Sequence, residues 1–339
     1  MTPCRKNVTI AEMASHLGVS TATIAKALNG QGRISPAMVE KVRNLARELH
    51  YVPNSAARAL RTNVKDAVGV LITSDIINPW YSQLVSLLEA ELSKRKLTML
   101  LALGKEDTEK IWHVQENFFG NRVAGIIAGP FSYANGLNHL QPAISRNIPL
   151  VVFNNLENQP LNFVAIDQEK GAELAIEHLL QLGHQKIVYL GCPHSDEPII
   201  PATRYAGFCN VIRKHGLPVM VIKAQGVGRQ EGFRLMHEIL ERYPAEKRPT
   251  AIFCHNDDIA LGALMAIKDA NLRVPEDIAV VGFDDIAEAS YSLPALTTVG
   301  GVMESLATEL VKALECVIAG KRVQKLIKPE LIIRASTLR

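Results

Sequence analysis

Two helix signals joined by a tight turn constrain the start of this chain more than any other feature. Thr9-Ile10-Ala11-Glu12 has the form of a capping box, so the spacing predicts a helix beginning at Ile10. Ile10, Met13, Ala14 and Leu17 fall on one face, and Gly18 permits the left-handed exit that ends the run. Val19 plugs the turn. Ser20 then caps a second helix over 21–29, with Ile24, Ala27 and Leu28 directed inward and Thr21, Ala22, Ala25 and Lys26 outward. Ala14 and Ala25 are small enough for the helices to approach closely. A pair of this kind is a helix-turn-helix, whose second helix fits a DNA major groove roughly 12 Å wide.

A third helix follows, with Ser35 as cap, Pro36 at its first position and Val39, Val42, Leu45, Ala46 and Leu49 as its apolar stripe. His50-Tyr51-Val52-Pro53 ends it. Asn54 can cap one more short helix over 55–61, with too little apolar surface to stand alone. Charge follows the same division. Residues 1–63 hold nine lysines and arginines against three glutamates, a net +6, and the rest of the 339 residues carries −3.

The run from Thr9 through Val19-Ser20-Thr21-Ala22-Thr23-Ile24 and Leu28-Asn29-Gly30, with Tyr51-Val52-Pro53-Asn54-Ser55-Ala56-Ala57-Arg58-Ala59-Leu60-Arg61, resembles the LacI/GalR family of bacterial repressors, and the likeness extends over nearly the whole chain. The resemblance implies DNA contacts from Thr9, Ser20, Thr21, Ala22, Thr23, Lys26, Asn29, Tyr51, Asn54, Ala57, Arg58 and Leu60. The family's hinge-helix leucine stands at Leu60, where it wedges into the minor groove and kinks the duplex. One departure is Ala25-Lys26, where many relatives carry Ser-Arg. A flexible point charge there replaces the planar fork that pairs with guanine, and phosphate contact and base contact both remain open for Lys26.

Some 270 residues beyond the head exceed one ordinary domain of about 100–200 residues, so two further units are expected. Strand and helix signals alternate there. Strands are predicted at 67–72, 97–103, 125–128, 150–153, 186–190, 219–224, 251–254, 278–283 and 331–333, and helices at 81–94, 170–182, 204–215, 228–243 and 260–271. The expected class is therefore α/β, parallel sheets covered by helices behind an all-α head. By resemblance the form is a two-lobed periplasmic-binding-protein-like fold. Its expected parts are a head with hinge at 1–61, a linker at 62–66, an N-lobe of 67–163 plus 294–322, and a C-lobe of 164–293 plus 323–339.

Open parallel sheets bind ligands beyond the carboxyl ends of their strands. Trp80 and Tyr81, Asn154, Asn256 and Asp284 follow strands, and Arg204 opens a helix; by resemblance these six bind the effector. An aromatic face with Arg, Asn and Asp around it suits a polyhydroxylated ring. By the same resemblance, relatives that bind a nucleobase often carry an aromatic near Val227, which turns the expectation from purine toward sugar, with a purine- or nucleoside-responsive repressor as the alternative.

Other classes fit less well. Gly226-Val227-Gly228 with Gly232 misses the spacing of a nucleotide-binding loop, and His194-Ser195-Asp196 are chain neighbours that cannot converge as a triad. The ten histidines show no metal-ligand spacing, and the five cysteines are odd in number and widely spaced, as reduced thiols are. No enzyme, metal or cofactor is expected. No apolar run approaches the roughly 20 residues of a membrane span. A polar start without signal peptide gives the expectation of a cytoplasmic protein beside the chromosome, not a sugar-binding transport protein. The chain ends soon after the strand at 331–333, without the tetramerising helix of some relatives, so a homodimer on a pseudopalindromic operator is expected.

Overall fold

The computed structural model describes residues 8–29, 32–51, 65–105, 107–131, 136–153, 160–191 and 203–338. The chain forms two compact units, Met1–Lys65 and Asp66–Arg339.

In the first unit, α1 (Ile10–Leu17), α2 (Thr21–Asn29) and α3 (Pro36–Glu48) enclose a small core of Met13, Ala14, Ile24, Ala27 and Val42. The capping box forms in full: the Thr9 amide donates to Glu12 Oε2 at 2.7 Å, and the Glu12 amide donates to Thr9 Oγ1 at 3.2 Å. Gly18 takes φ 64°, the left-handed exit that its lack of a side chain allows. Ser20 caps α2 through the Thr23 amide at 3.1 Å, and Ser35 caps α3 with Pro36 behind it. One expectation is corrected. Ala25 does not stand in solvent; it is buried at 5% exposure, while Thr21, Ala22 and Lys26 are exposed. The hinge helix expected over 54–61 lies outside the described residues.

The caps carry a measurable share of the head's stability. Thr9→Ala removes the acceptor that holds the Glu12 amide and should cost about 1 kcal/mol. Hydrogen exchange of the α1 amides should quicken roughly fivefold, while amides of the larger unit stay unchanged.

The second unit holds two six-stranded sheets. The first contains β1 (Ala67–Ile72), β2 (Thr98–Leu103), β3 (Ile126–Gly129), β4 (Leu150–Val152), β5 (Asn162–Ile166) and β11 (Gln324–Ile327), in the order β11-β5-β4-β3-β1-β2 and parallel throughout. Strand alternation assigns the side chains. Val68, Val70 and Ile72 join a core with α4 (Pro79–Lys94) and α12 (Met303–Ile318), while Leu71 turns to the opposite face, under α5 (Thr108–Gly120) and α6 (Gly136–Ser145).

The second sheet contains β6 (Ile187–Gly191), β7 (Met220–Lys223), β8 (Ala251–Cys254), β9 (Ala279–Phe283), β10 (Thr297–Gly300) and β12 (Glu330–Ile332), in the order β12-β10-β9-β8-β6-β7. Its pairs are parallel except β10 with β12, which is antiparallel. Around it run α7 (Gln168–Gln181), α8 (Arg204–Lys214), α9 (Arg229–Arg242), α10 (Asp257–Asp269) and the short α11 (Ala287–Tyr291).

The chain passes between the sheets three times, after β5, after β10 and after β11. These passages lie somewhat beyond the positions 163, 293 and 322 expected from the sequence. The reason is local: β5 completes its pairing with β11 through Ile166, and β10 pairs with β9 before α12 returns to the first sheet. No helix among the described residues is long and apolar enough to cross a membrane, and none of their His, Cys, Asp and Glu side chains form a group of three or more that could hold a metal.

Candidate effector site

Both sheets have the doubly wound order in which the direction of strand addition reverses between two neighbouring parallel strands, β1 and β3 in one and β6 and β8 in the other. Such switch points open a crevice beyond the strand ends. In the first sheet Thr73, directly after β1, donates its hydroxyl to the carbonyl of Pro130, directly after β3. In the second, the hydroxyl of the fully buried Tyr189 in β6 meets Nδ1 of His255, after β8, at 2.8 Å.

Arg204 and Asp284 converge beside His255. Thr203 caps α8 by accepting from the Ala206 amide, which fixes Arg204 at the first helical position. Its guanidinium donates from Nη2 to Asp284 Oδ1 at 2.9 Å and from Nη1 to the His255 carbonyl, and stacks 3.9 Å over the Phe283 ring. Nε is buried and has no partner among the described residues. Asp284 and Asp285 follow β9 with φ 121° and 55°, a left-handed pair that non-glycine residues adopt at a cost and that clusters at functional sites. The turn aims the two carboxylates apart: Asp285 receives Arg334 Nη2 at 2.7 Å.

Asp257, which follows a strand beside Asn256, is not among the six residues assigned to the effector. It is fully buried at the start of α10, accepting the Ile286 amide at 3.0 Å and the Thr298 hydroxyl at 2.5 Å, and so ties the helix to the turn after β9 and to β10. Burial raises its pKa to about 7, with the Asp284 charge adding to the rise. Burial likewise lifts Asp284 to about 6, outweighing the Arg204 charge and hydrogen bond that pull it down. The folded protein therefore holds these protons more tightly than the unfolded chain. The stabilisation is complete below the ordinary value of 3.8 and is lost as pH climbs through about 6 and 7. Urea midpoints should fall between pH 5 and pH 7.5 on this account, and Asp257→Asn should flatten that slope; an unchanged slope would remove Asp257 as a source.

The other expected site residues fare differently. Asn256 is 4% exposed and its amide is committed, with Oδ1 capping α10 through the Ile259 amide at 2.8 Å and Nδ2 donating to the Val227 carbonyl at 2.9 Å. Trp80 stands at the start of α4, capped by Asn78, but packs into the core at 9% exposure, with its ring 5.0 Å from Tyr81 and 6.2 Å from Phe153. Its Nε1 is buried and unpartnered among the described residues. Tyr81 is half-buried. Asn154 lies outside the described residues, as do Asn54, Ala57, Arg58 and Leu60 from the head and the side chain of Asn29. The hydroxyls of Thr9 and Ser20 serve as caps, and Tyr51 closes α3 by donating its amide to the Ala46 carbonyl at 2.8 Å.

Residues 9–54 match the family described as bacterial regulatory proteins, lacI family, and residues 176–337 match the periplasmic binding protein-like domain. The chain is 30% identical over 339 residues to the HTH-type transcriptional repressor PurR of Haemophilus influenzae, covering 97% of this chain and 98% of that one. The chain belongs to the lacI family. Among solved structures, the lac repressor dimer bound to operator and the anti-inducer ONPF superposes with a TM-score of 0.87 at 26% identity, over 98% of this chain and all of that one. The complex of the transcriptional regulator CelR with cellobiose gives 0.69 at 25%, over 97% of this chain and 100% of that one. As a lacI-family protein the chain is a DNA-binding transcriptional repressor and not an enzyme.

Proposed function

We propose that this repressor senses a sugar or sugar derivative at the strand ends of its larger unit, and that occupancy there changes its hold on a pseudopalindromic operator. The buried Arg204–Asp284 pair carries the reading. Its carboxylate and guanidinium, set by a strained turn and a helix cap, can take the paired hydroxyls of a polyol in two directions at once. The CelR–cellobiose likeness supports a sugar. A purine or nucleoside effector is the second reading, supported by the identity with PurR; the aliphatic Val227, 43% exposed, offers no ring for a base to stack on.

The same reading makes the protein a dimer. A hollow of about 480 Å³ lies along α10 and α11, with Arg229 at its edge. Met265, Tyr291 and Leu293 stand 59%, 85% and 88% exposed around it, an apolar face of the kind that covers itself in a two-fold pair. In the head, Lys26 and the exposed Thr21 and Ala22 are assigned to the operator.

Operator sequences selected from random DNA, followed by gel shifts with mono- and disaccharides, purines and nucleosides, test the proposal. A two-fold-symmetric site whose binding responds to a sugar is expected. A response confined to purines would replace the sugar reading with the second one, and a site without symmetry would remove the dimer.

A further inference from the structure

Among the described residues, the arginines near the switch points are each paired with a carboxylate, and Lys223, which ends β7 beside β6, is engaged as well. Lys105, in the loop after β2, faces Asp75 after β1 at 3.7 Å. Arg204 is held by Asp284. Arg229, opening α9, is bound by Asp258 at 2.7 Å and Glu288 at 3.3 Å, and Arg334 by Asp285. The segments that follow β4 and β6 in the chain, 154–159 and 192–202, contain no lysine or arginine. Lys328 follows β11, an edge strand three places from β3 and so about 14 Å from it at the usual strand spacing. Acids prevail instead, with Asp257, Asp258, Asp284 and Asp285 after β8 and β9.

We infer that the effector carries no net negative charge: it is a free polyhydroxylated molecule and not its phosphate ester or acid. The inference rests on the reading that the effector lies at these strand ends. A phosphate brings a charge of about −1.5 to −2 and three strong acceptors, which need donors free of other anions. To serve it, Arg204 would have to leave Asp284 and strand a buried carboxylate. A neutral hydroxyl asks for less. It can donate to Asp284 while accepting from Arg204 Nε, and the pair stays intact. The buried Nε of Arg204 and Nε1 of Trp80 each lack an acceptor among the described residues, and a hydroxyl oxygen satisfies such a group without bringing charge.

The test takes the full-length protein with millimolar inorganic phosphate at pH 7.5 and reads the change in Tm against chloride of equal ionic strength. Wild type and Arg204→Gln should respond alike, since the only donor Arg204 has left for phosphate is Nε, on a guanidinium whose charge Asp284 already balances. Asp284→Asn removes the charge that balances that guanidinium, so this variant should gain a phosphate-dependent rise of about 2 °C or more, which the double variant R204Q/D284N loses. A wild-type response abolished by Arg204→Gln overturns the inference, and so does Asp284→Asn without any gain. Titration calorimetry with glucose and glucose 6-phosphate, ribose and ribose 5-phosphate, and hypoxanthine separates the inference from the reading beneath it. A phosphate ester that binds more tightly than its parent sugar overturns the charge inference and leaves the sugar reading standing. Hypoxanthine binding more tightly than either sugar does the reverse.

Discussion

Replacing Gly262 by alanine should unfold the larger unit or cost it about 4 kcal/mol or more, the range reserved for outright steric or packing failure. α9 and α10 cross where Gly232 faces the carbonyl of Ile259 and Gly262 faces the carbonyl of Arg229. A methyl at either glycine would overlap backbone, which cannot rotate aside as a side chain can. The same substitution at Gly120, where an added Cβ meets nothing, should be neutral or stabilise by about 0.5–1 kcal/mol. Denaturant unfolding of the two variants side by side checks the argument; equal midpoints would show that the crossing can relax. The crossing also supports the site, because Arg229 at the start of α9 bonds Asp258 at the start of α10.

Arg204→Ala should lose both effector response and stability. Removing one partner of a buried pair leaves the other charged and unpaired, at a cost of about 3–5 kcal/mol. The phenotype is then not a clean loss of ligand binding: part of it is Asp284 left without its cation, 8% exposed, in a strained turn. R204A/D284N should therefore be less destabilised than Arg204→Ala alone, a coupling that a double-mutant cycle reads directly. Additive losses in the two single variants would mean that the pair contributes nothing as a pair.

The head was legible in the sequence because its determinants are local. Thr9 and Glu12, Ser20 and Thr23, Ser35 and Met38 bond across three residues, and a capping pattern announces such bonds in the chain itself. Strands with continuous apolar runs, such as β1 and β8, were equally plain. Less so were β5, β10 and β11, which interrupt their apolar runs or, in Gln324–Ile327, expose three of four side chains at a sheet edge. The site divides along the same line. Arg204 and Asp284 are 80 positions apart and were brought together only by resemblance to a family. Asp257 was passed over because its partners Ile286 and Thr298 lie 29 and 41 positions away, and an adjacent acidic pair in sequence does not say which member goes inward. Asn256 is the converse case: a residue after a strand, in position for a ligand, whose amide also caps a helix through the Ile259 amide.

The three passages between the sheets bear on how the protein is made. A chain leaving the ribosome folds from its N-terminus as whole units become available. The head, within residues 1–65, has all its parts before those of the larger unit. The first sheet does not, since β11 and the apolar face of α12 belong to residues 303–327 and arrive long after β5. Until then the edge of β5 and the face that α12 will cover stay open, so the growing polypeptide can hold a finished DNA-reading head before it owns the domain that governs it.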